Sequence, residues 1–249
     1  MSATARTFGL ARSLAMYYGI PFRAGRLRRF YSQFVQSGAL CFDVGAHAGN
    51  RVRCWRGLGA RVVAIEPQPD FVRLLRWLYG GDKGVEIVPQ AVGRNAGTAE
   101  LLVSERTPTV TTLSQAWVES VRREPGFEHV QWSARERVDV VTLQSLIERY
   151  GEPAFVKVDV EGFEAEALAG LATPVRALSF EYVPATREIA FACVERLAAL
   201  AQYRYNWSIG ETHRLKSAQW LDAAGLRALL AGLPQGAPSG DIYAVRVDA

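Results

Sequence analysis

From residue 39 onward, runs of four to six apolar residues alternate with stretches whose apolar residues recur at helical spacing. Short apolar runs between helical segments read as strands covered on both faces, the state of strands in a parallel sheet with helices above and below. The runs at 39–44, 61–66, 85–89, 154–160 and 177–183 read as strands, and 50–58, 70–79, 163–171 and 186–201 as helices. Phe163, Ala167, Leu168 and Leu171 would share one helical face. Beyond them, 203–209 and 242–247 read as strands separated by a helical segment near 217–231 and a Gly/Pro-rich turn at 232–240, a spacing that permits a closing antiparallel pair. The stretch 104–137 breaks the rhythm with Thr107, Pro108, Pro125, Gly126 and scattered aromatics. A long aperiodic segment inside a compact domain is expected to be a lid or binding loop.

Composition narrows the class. With 249 residues, 49% hydrophobic and 22% charged, the chain is globular rather than disordered or fibrous. We expect one domain over 37–249, with 104–137 as a substrate-recognition insertion, preceded by a basic helical extension over 1–36. That extension carries Arg6, Arg12, Arg23, Arg26, Arg28 and Arg29. The first 42 residues contain no acid, so the rest of the chain, 23 basic against 25 acidic residues, is slightly acidic. Solvated arginines on amphipathic helices, with Leu14, Tyr17, Tyr18, Leu27, Phe30, Tyr31 and Phe34 facing the body, are the plain reading. An anionic surface such as a lipid membrane, a nucleic acid or an acidic carrier protein as partner is the sharper one. Cys41, Cys54 and Cys193 are odd in number and widely spaced, which fits a reducing compartment. Arg12 interrupts the longest N-terminal apolar stretch, which argues against a membrane span or signal peptide and makes the cytoplasm the expected location.

The chemistry concentrates in Cys41-Phe42-Asp43-Val44-Gly45-Ala46-His47-Ala48-Gly49-Asn50, a strand entering a glycine-bearing turn and then a helix. Ligands of parallel sheets bind outside the carboxyl ends of the strands, so the turn lies where a site belongs. Gly45 and Gly49 permit a tight turn and close backbone approach. Glu66 ends the next strand 23 residues after Asp43, near the ~20-residue offset at which a carboxylate meets the ribose hydroxyls of an adenosine. A dinucleotide fingerprint starting at Gly45 would need glycine where His47 and Asn50 stand, so an adenosine without a diphosphate fits better. S-adenosylmethionine has an amino-acid end whose carboxylate suits a helix N-terminus and whose ammonium suits Asp43 or a backbone carbonyl.

These residues also carry a resemblance. Phe42-Asp43-Val44-Gly45-Ala46-His47-Ala48-Gly49, then Val63-Ala64-Ile65-Glu66-Pro67, then Phe155-Val156-Lys157-Val158-Asp159-Val160-Glu161-Gly162-Phe163-Glu164 resemble, in order and spacing, the motifs of FkbM-type S-adenosylmethionine-dependent methyltransferases. The resemblance covers roughly residues 25–247, and the last motif is its specific part. It implies the class I methyltransferase (Rossmann-like) fold, with a seven-stranded, mostly parallel sheet whose last strand is antiparallel. It also implies methyl transfer to hydroxyl oxygens of sugars, glycans or related natural products. Position 47 is often asparagine in that pattern, so His47 departs from it. Carried across, Asp43, Gly45, His47, Gly49, Asn50 and Glu66 would hold the cofactor, and Gln90 and Ala91 would flank its adenine.

Asp159 and Glu161 would stand near the acceptor. In-line methyl transfer asks for positioning and for a carboxylate that takes the hydroxyl proton. We assign that role to Asp159, with Glu161 as orienter or alternate base and Lys157 as neutralising partner; a strand-end ion cluster is the structural alternative. Glu181 would face the same crevice as an acceptor contact or a buried structural pair. Trp117, Trp132 and Trp207 would line an acceptor pocket or belong to local core. His129 and His213 are expected to face solvent. No metal is expected: the three histidines are widely separated, and a cation bridged by Asp159, Glu161 and Glu181 is the minor alternative. The competing functions are a non-catalytic nucleotide-binding scaffold, a dinucleotide oxidoreductase, and a nucleic-acid methyltransferase. Acidic residues beyond position 42 and the lack of an Asn-Pro-Pro-Tyr-type motif weigh against the last.

Overall fold

The computed structural model describes residue 12 and residues 23–104, 106–122, 124, 127–234 and 236–248. Arg6, Leu14, Tyr17 and Tyr18 of the basic extension lie outside them, and Arg12 is exposed. Among the described residues the strands are β1 (Leu40–Val44), β2 (Arg61–Ile65), β3 (Val85–Val88), β4 (Ala91–Val92), β5 (Gly97–Val103), β6 (Ala134–Val141), β7 (Phe155–Val158), β8 (Ala177–Tyr182), β9 (Tyr203–Trp207) and β10 (Gly240–Arg246). The helices are α1 (Arg23–Tyr31), α2 (Asn50–Arg56), α3 (Pro69–Tyr79), α4 (Gln115–Val121), α5 (Leu143–Tyr150), α6 (Glu164–Ala169), α7 (Arg187–Leu200) and α8 (Ala223–Ala231).

Seven strands form one sheet in the order β3-β2-β1-β7-β8-β10-β9. Only the last strand in the chain, β10, runs antiparallel to its neighbours β8 and β9. This is the class I methyltransferase topology that the resemblance implies. The reason for the uninterrupted apolar runs is visible in the register. Cys41, Val62, Ala64 and Phe155 point to one face, where they pack with Tyr31 of α1, Val52 and Trp55 of α2 and Leu75 of α3. Their neighbours Phe42, Val63, Ile65 and Val156 point to the other, against Leu146 of α5, Leu168 of α6, Val194 of α7 and Leu226 of α8. Strands covered on both sides have no polar face to show.

The segment 104–137 lies between two strands, the second of which takes in its last four residues. Leu101, Val103, Ala134, Val138 and Val140 are the buried positions of two antiparallel strands, β5 and β6, which with β4 make a separate three-stranded sheet. Strand β6 reads Ala-Arg-Glu-Arg-Val-Asp-Val-Val, alternating buried and exposed, the period-2 signature of a strand wetted on one face. Between the two strands, Ser114 caps α4 by accepting a hydrogen bond from Trp117 N (3.1 Å).

Helix α1 shows the amphipathic pattern read from the sequence: Leu27, Phe30 and Tyr31 are buried while Arg26, Arg28 and Arg29 are exposed. Tyr31 stands edge-on to Trp55 and Phe155, so α1 is seated on the sheet. Cys41, Cys54 and Cys193 are free and buried. No helix among the described residues is long and apolar enough to cross a membrane.

Candidate active site

Strand order reverses between β1, which leads outward to β2 and β3, and β7, which leads to β8. At that switch point the carboxyl ends of β1, β2 and β7 open into a cleft enclosing about 840 Å³ of space, mouth included. Asp43, Gly45, His47, Asn50, Glu66, Gln90 and Ala91 line it from one side, and Lys157, Asp159 and Glu161 from the other. Gly49 lies deeper in the turn.

The glycines are required by inner packing. Gly45 has φ 81°, and a Cβ there would collide with the carbonyl oxygen of Asp159 on the adjoining strand end. Gly49, at φ 78°, leaves room for Leu75 and Tyr79 of α3, and the Tyr79 hydroxyl donates to Gly49 O at 3.0 Å. His47 also adopts a left-handed conformation, φ 48°. Asparagine, aspartate and histidine tolerate that region better than other side chains, so the departure from asparagine at this position keeps the backbone. Its imidazole packs on the Phe71 ring, and burial holds its pKa down at about 3, so it is neutral.

Glu66 stitches the turn together. Its Oε2 accepts from His47 N and its Oε1 from Gln68 N, each at 2.8 Å. Burial raises its pKa to about 7 against the lowering effect of those two amides. Asp43 is more deeply buried. Burial raises its pKa to about 7 despite the nearby charges of Arg51 and Lys157 and a hydrogen bond from the Val52 amide. Its Oδ2 has no hydrogen-bond partner among the described residues. A buried acceptor of this kind costs free energy until a donor arrives. The cleft thus offers two carboxylates to a ligand rich in hydroxyl and ammonium donors, as an adenosine with an amino-acid end is, and these residues fit such a group.

On the opposite wall, Lys157 is buried in β7. Burial would strip its proton, but Asp159 and Asp241 outweigh burial and keep it charged. Its Nζ donates to Asp159 Oδ2 at 2.8 Å and to Asp241 Oδ1 at 3.3 Å, and the Tyr243 hydroxyl donates to Asp241 Oδ2 at 3.2 Å. Glu161 follows in a left-handed conformation, φ 53°. Glu164, at the start of α6, holds this turn by accepting from Val160 N and Gly162 N. Asp159, Glu161 and Glu181 each bring a carboxylate oxygen within 4.8 Å of the others'. Burial, and then the crowding of these acids, pushes Glu161 and Glu181 well above the usual carboxylate range, which favours a proton shared between them. Glu161 and Glu181 also line a second cavity with Glu124, Phe127, Pro184 and 236–239. Among the described residues, Glu161 is the one common to both cavities.

Several expected contacts fall elsewhere. Trp117 lines neither cavity: it is 1% exposed and fills the space beneath Gly162, where a Cβ would strike its ring. Trp132 stands edge-on to Trp117, donates from its indole nitrogen to Val110 O at 2.8 Å, and also lines neither cavity. Trp207 donates to the Ser217 hydroxyl and packs on Tyr182. These three rings act as packing elements, each held by contacts to a distant part of the chain: Trp117 under Gly162, Trp132 against Val110 and Trp207 on Tyr182. His129 is exposed as expected, but His213 is not. Its side chain is 6% exposed, wedged against Phe30 and Tyr31. Sequence reading also missed Gln68, Arg51, Glu211 and Asp241. Gln68 follows Glu66 closely and was within reach of inspection. Arg51 meets Glu211 across 160 residues and Asp241 meets Lys157 across 84, so the other three leave no local signal.

The chain is similar in structure to several solved methyltransferases. They include a TehB-like SAM-dependent methyltransferase from Corynebacterium glutamicum (12% identity, 98% of each chain covered, TM-score 0.48) and an O-methyltransferase from Bacillus cereus in complex with SAH (14% identity, 99% of this chain and 91% of that one, TM-score 0.47). A precorrin-6y C5,15-methyltransferase from Geobacter metallireducens is another (14% identity, 90% and 88% covered, TM-score 0.42). No curated protein matches the chain. The family model described as the methyltransferase FkbM domain matches residues 43–223, well over half of the sequence and all three of the motifs around the cleft. The chain belongs to the FkbM methyltransferase family, and its cofactor is S-adenosylmethionine.

Proposed function

We propose that this methyltransferase acts on a hydroxyl oxygen of a small molecule, sugar or glycan. The observation that supports this reading most is the position of Glu161 on the wall shared by the cofactor cleft and the second cavity, beside Asp159. An acceptor in the second cavity would then meet the cofactor across that wall. Asp43, the Gly45 and Gly49 turn, His47, Asn50 and Glu66 hold the cofactor, with Gln90 and Ala91 beside its adenine. When bound, S-adenosylmethionine supplies an electrophilic methyl group on a sulfonium that leaves readily. The protein must therefore position the acceptor and take its proton.

Lys157 fixes Asp159 by one oxygen, Oδ2, leaving Oδ1 to receive the hydroxyl proton as the new C–O bond forms. A protonated Glu161 or Glu181 donates a hydrogen bond that orients the acceptor oxygen. Positioning of this kind supplies the larger part of the rate gain. Glu124 and the unprotonated member of the Glu161–Glu181 pair place negative charge in the second cavity, which disfavours a phosphate backbone and favours a neutral or cationic acceptor over a nucleic acid. The exposed arginines of α1 would contact an anionic surface outside the site, and the segments 1–36 and 37–249 keep their reading as extension and catalytic domain.

The test is incubation with methyl-labelled cofactor and a panel of glycans, polyketide alcohols, carboxylic acids and RNA. Label transferred to an alcohol as an alkali-stable ether is the expected outcome. Label found only as an alkali-labile ester overturns the hydroxyl reading, and label found only on RNA overturns the assignment of a small-molecule, sugar or glycan acceptor.

A further inference from the structure

Arg51 stands at the start of α2, lines the cofactor cleft, and is 2% exposed. A guanidinium buried to this extent needs fixed partners. Its Nε donates to the Tyr31 hydroxyl at 3.2 Å, which anchors the inner edge to α1. Its outer edge, Nη1 and Nη2, faces the two carboxylate oxygens of Glu211 at 3.4 and 3.2 Å. These are long for a charge-assisted pair, whose bonds normally measure ~2.7–2.9 Å. The partners are unequal: the Arg51 side chain is 3% exposed and that of Glu211 is 42% exposed. Glu211 sits on the short loop after β9, flanked by Gly210 and His213, both at positive φ, and it too lines the cleft. Burial would raise the Glu211 carboxyl, but Arg51 and then His213 and Lys157 outweigh it and hold it well below the usual range, so it is an anion.

A carboxylate lying loosely across the outer edge of a buried, anchored arginine inside a ligand cleft occupies the place of a ligand's carboxylate. On the cofactor reading above, the ligand brings one. Helix α2 has only seven residues, so a side chain must supply most of the positive charge that group requires. Asp43, with its unpartnered buried Oδ2, lines the same part of the cleft and supplies the complementary acceptor for an ammonium.

We propose that Arg51 receives the carboxylate of the cofactor's amino-acid end, and that Glu211 is a competing internal carboxylate that must yield for it, which makes the loop around residues 210–213 a latch over the occupied cleft. Arg51 and Asp43 together would read the zwitterion, and Glu211 would set how tightly it is held. The inference rests on the cofactor assignment but is separable from it.

Calorimetric titration of the full chain with S-adenosylhomocysteine and with 5′-methylthioadenosine, which lacks the amino-acid end, tests both. For Arg51→Gln, S-adenosylhomocysteine affinity should fall about tenfold to 100-fold, the loss expected for a charged hydrogen-bonded contact, with methylthioadenosine unchanged. Glu211→Gln, at the half-exposed side of the pair, should tighten S-adenosylhomocysteine several-fold and again leave methylthioadenosine unchanged. Arg51→Lys keeps the charge and should fall between Arg51→Gln and wild type; it also serves if Arg51→Gln does not fold. Equal losses for both ligands in the Arg51 variants, or weaker S-adenosylhomocysteine binding in Glu211→Gln, would overturn the latch. If wild type binds neither ligand, the cofactor site itself is misplaced.

Discussion

At the cofactor end of the crevice the carboxylate of Glu66 is held by two backbone amides, Gln68 N of its own turn and His47 N of the turn after β1. At the acceptor end Glu161 and Glu181 crowd each other, and Glu181 Oε2 has no hydrogen-bond partner among the described residues. The first wall is preorganised by backbone amides of two neighbouring turns. The second is assembled from side chains, Glu124, Phe127, Glu161 and Glu181, together with 236–239, and its acids crowd one another. A site arranged this way spends its stability at one end to fix an invariant ligand. It accepts strain at the other end, where chemistry and selectivity reside.

The contrast can be broken most severely at the point where the two walls meet. Gly45→Ala forces a left-handed alanine against the Asp159 carbonyl and should cost about 3 kcal/mol or more in urea unfolding, disturbing both ends at once. A stability within about 0.5 kcal/mol of wild type would show that the walls are less tightly coupled than their packing implies. Separate substitutions should divide them. Asp159→Asn should lower turnover about 100-fold or more while S-adenosylhomocysteine affinity stays near wild type. Glu66→Ala should do the reverse, weakening S-adenosylhomocysteine roughly tenfold in calorimetry. If Asp159→Asn leaves turnover with a true acceptor intact, Asp159 is not the base.

The smallest effect is one of pH. Folded-state pKa values of Asp43, Glu66 and Glu164 are raised to about 7, chiefly by burial, and Glu161 and Glu181 are shifted in the same direction. Each group therefore binds its proton more tightly folded than unfolded, so it favours the fold at low pH and loses that contribution as pH climbs from the ordinary carboxylate range through about 7. Glu211 is shifted the other way, and its contribution is complete above the ordinary carboxylate range. The ligand-free melting temperature should consequently decline between pH 5 and pH 7.5, and S-adenosylhomocysteine, which needs Glu66 ionised, should bind less tightly as pH falls below about 7. Glu181→Gln relieves the acceptor-end crowding and should flatten the melting profile by a few degrees at its alkaline side. A profile as steep as wild type would place the repulsion elsewhere.

The unequal legibility of the two walls follows from the same contrast. Asp43 to Asn50 and Glu66 are local motifs, and strands buried on both faces announce themselves as apolar runs, so the main sheet and the cofactor wall could be read directly. Strands β5 and β6 escaped because each shows one wet face, and Glu100, Arg135, Glu136 and Arg137 interrupt the apolar positions. Helix α5 was legible in principle: Thr142 caps it by accepting from Ser145 N, and Leu143, Leu146, Ile147 and Tyr150 follow at helical spacing. Side chains that meet only through the topology could not be read. Arg51 with Glu211 and Lys157 with Asp241 join elements distant in the chain. Conversely, Trp117 and Trp132 carried the composition of a sugar-stacking pocket, but their burial depends on Gly162 and Val110, which no spacing rule connects to them.

Gly162 has a counterpart in the insertion. Trp117 occupies the room left by its missing side chain, and the Thr112 hydroxyl donates to Glu161 O at 2.6 Å. On the proposed reading, the insertion that would select the acceptor is thereby rooted in the same few peptide units that carry Asp159 and Glu161. A change at that root would displace the turn bearing the acids along with the insertion that leans on it.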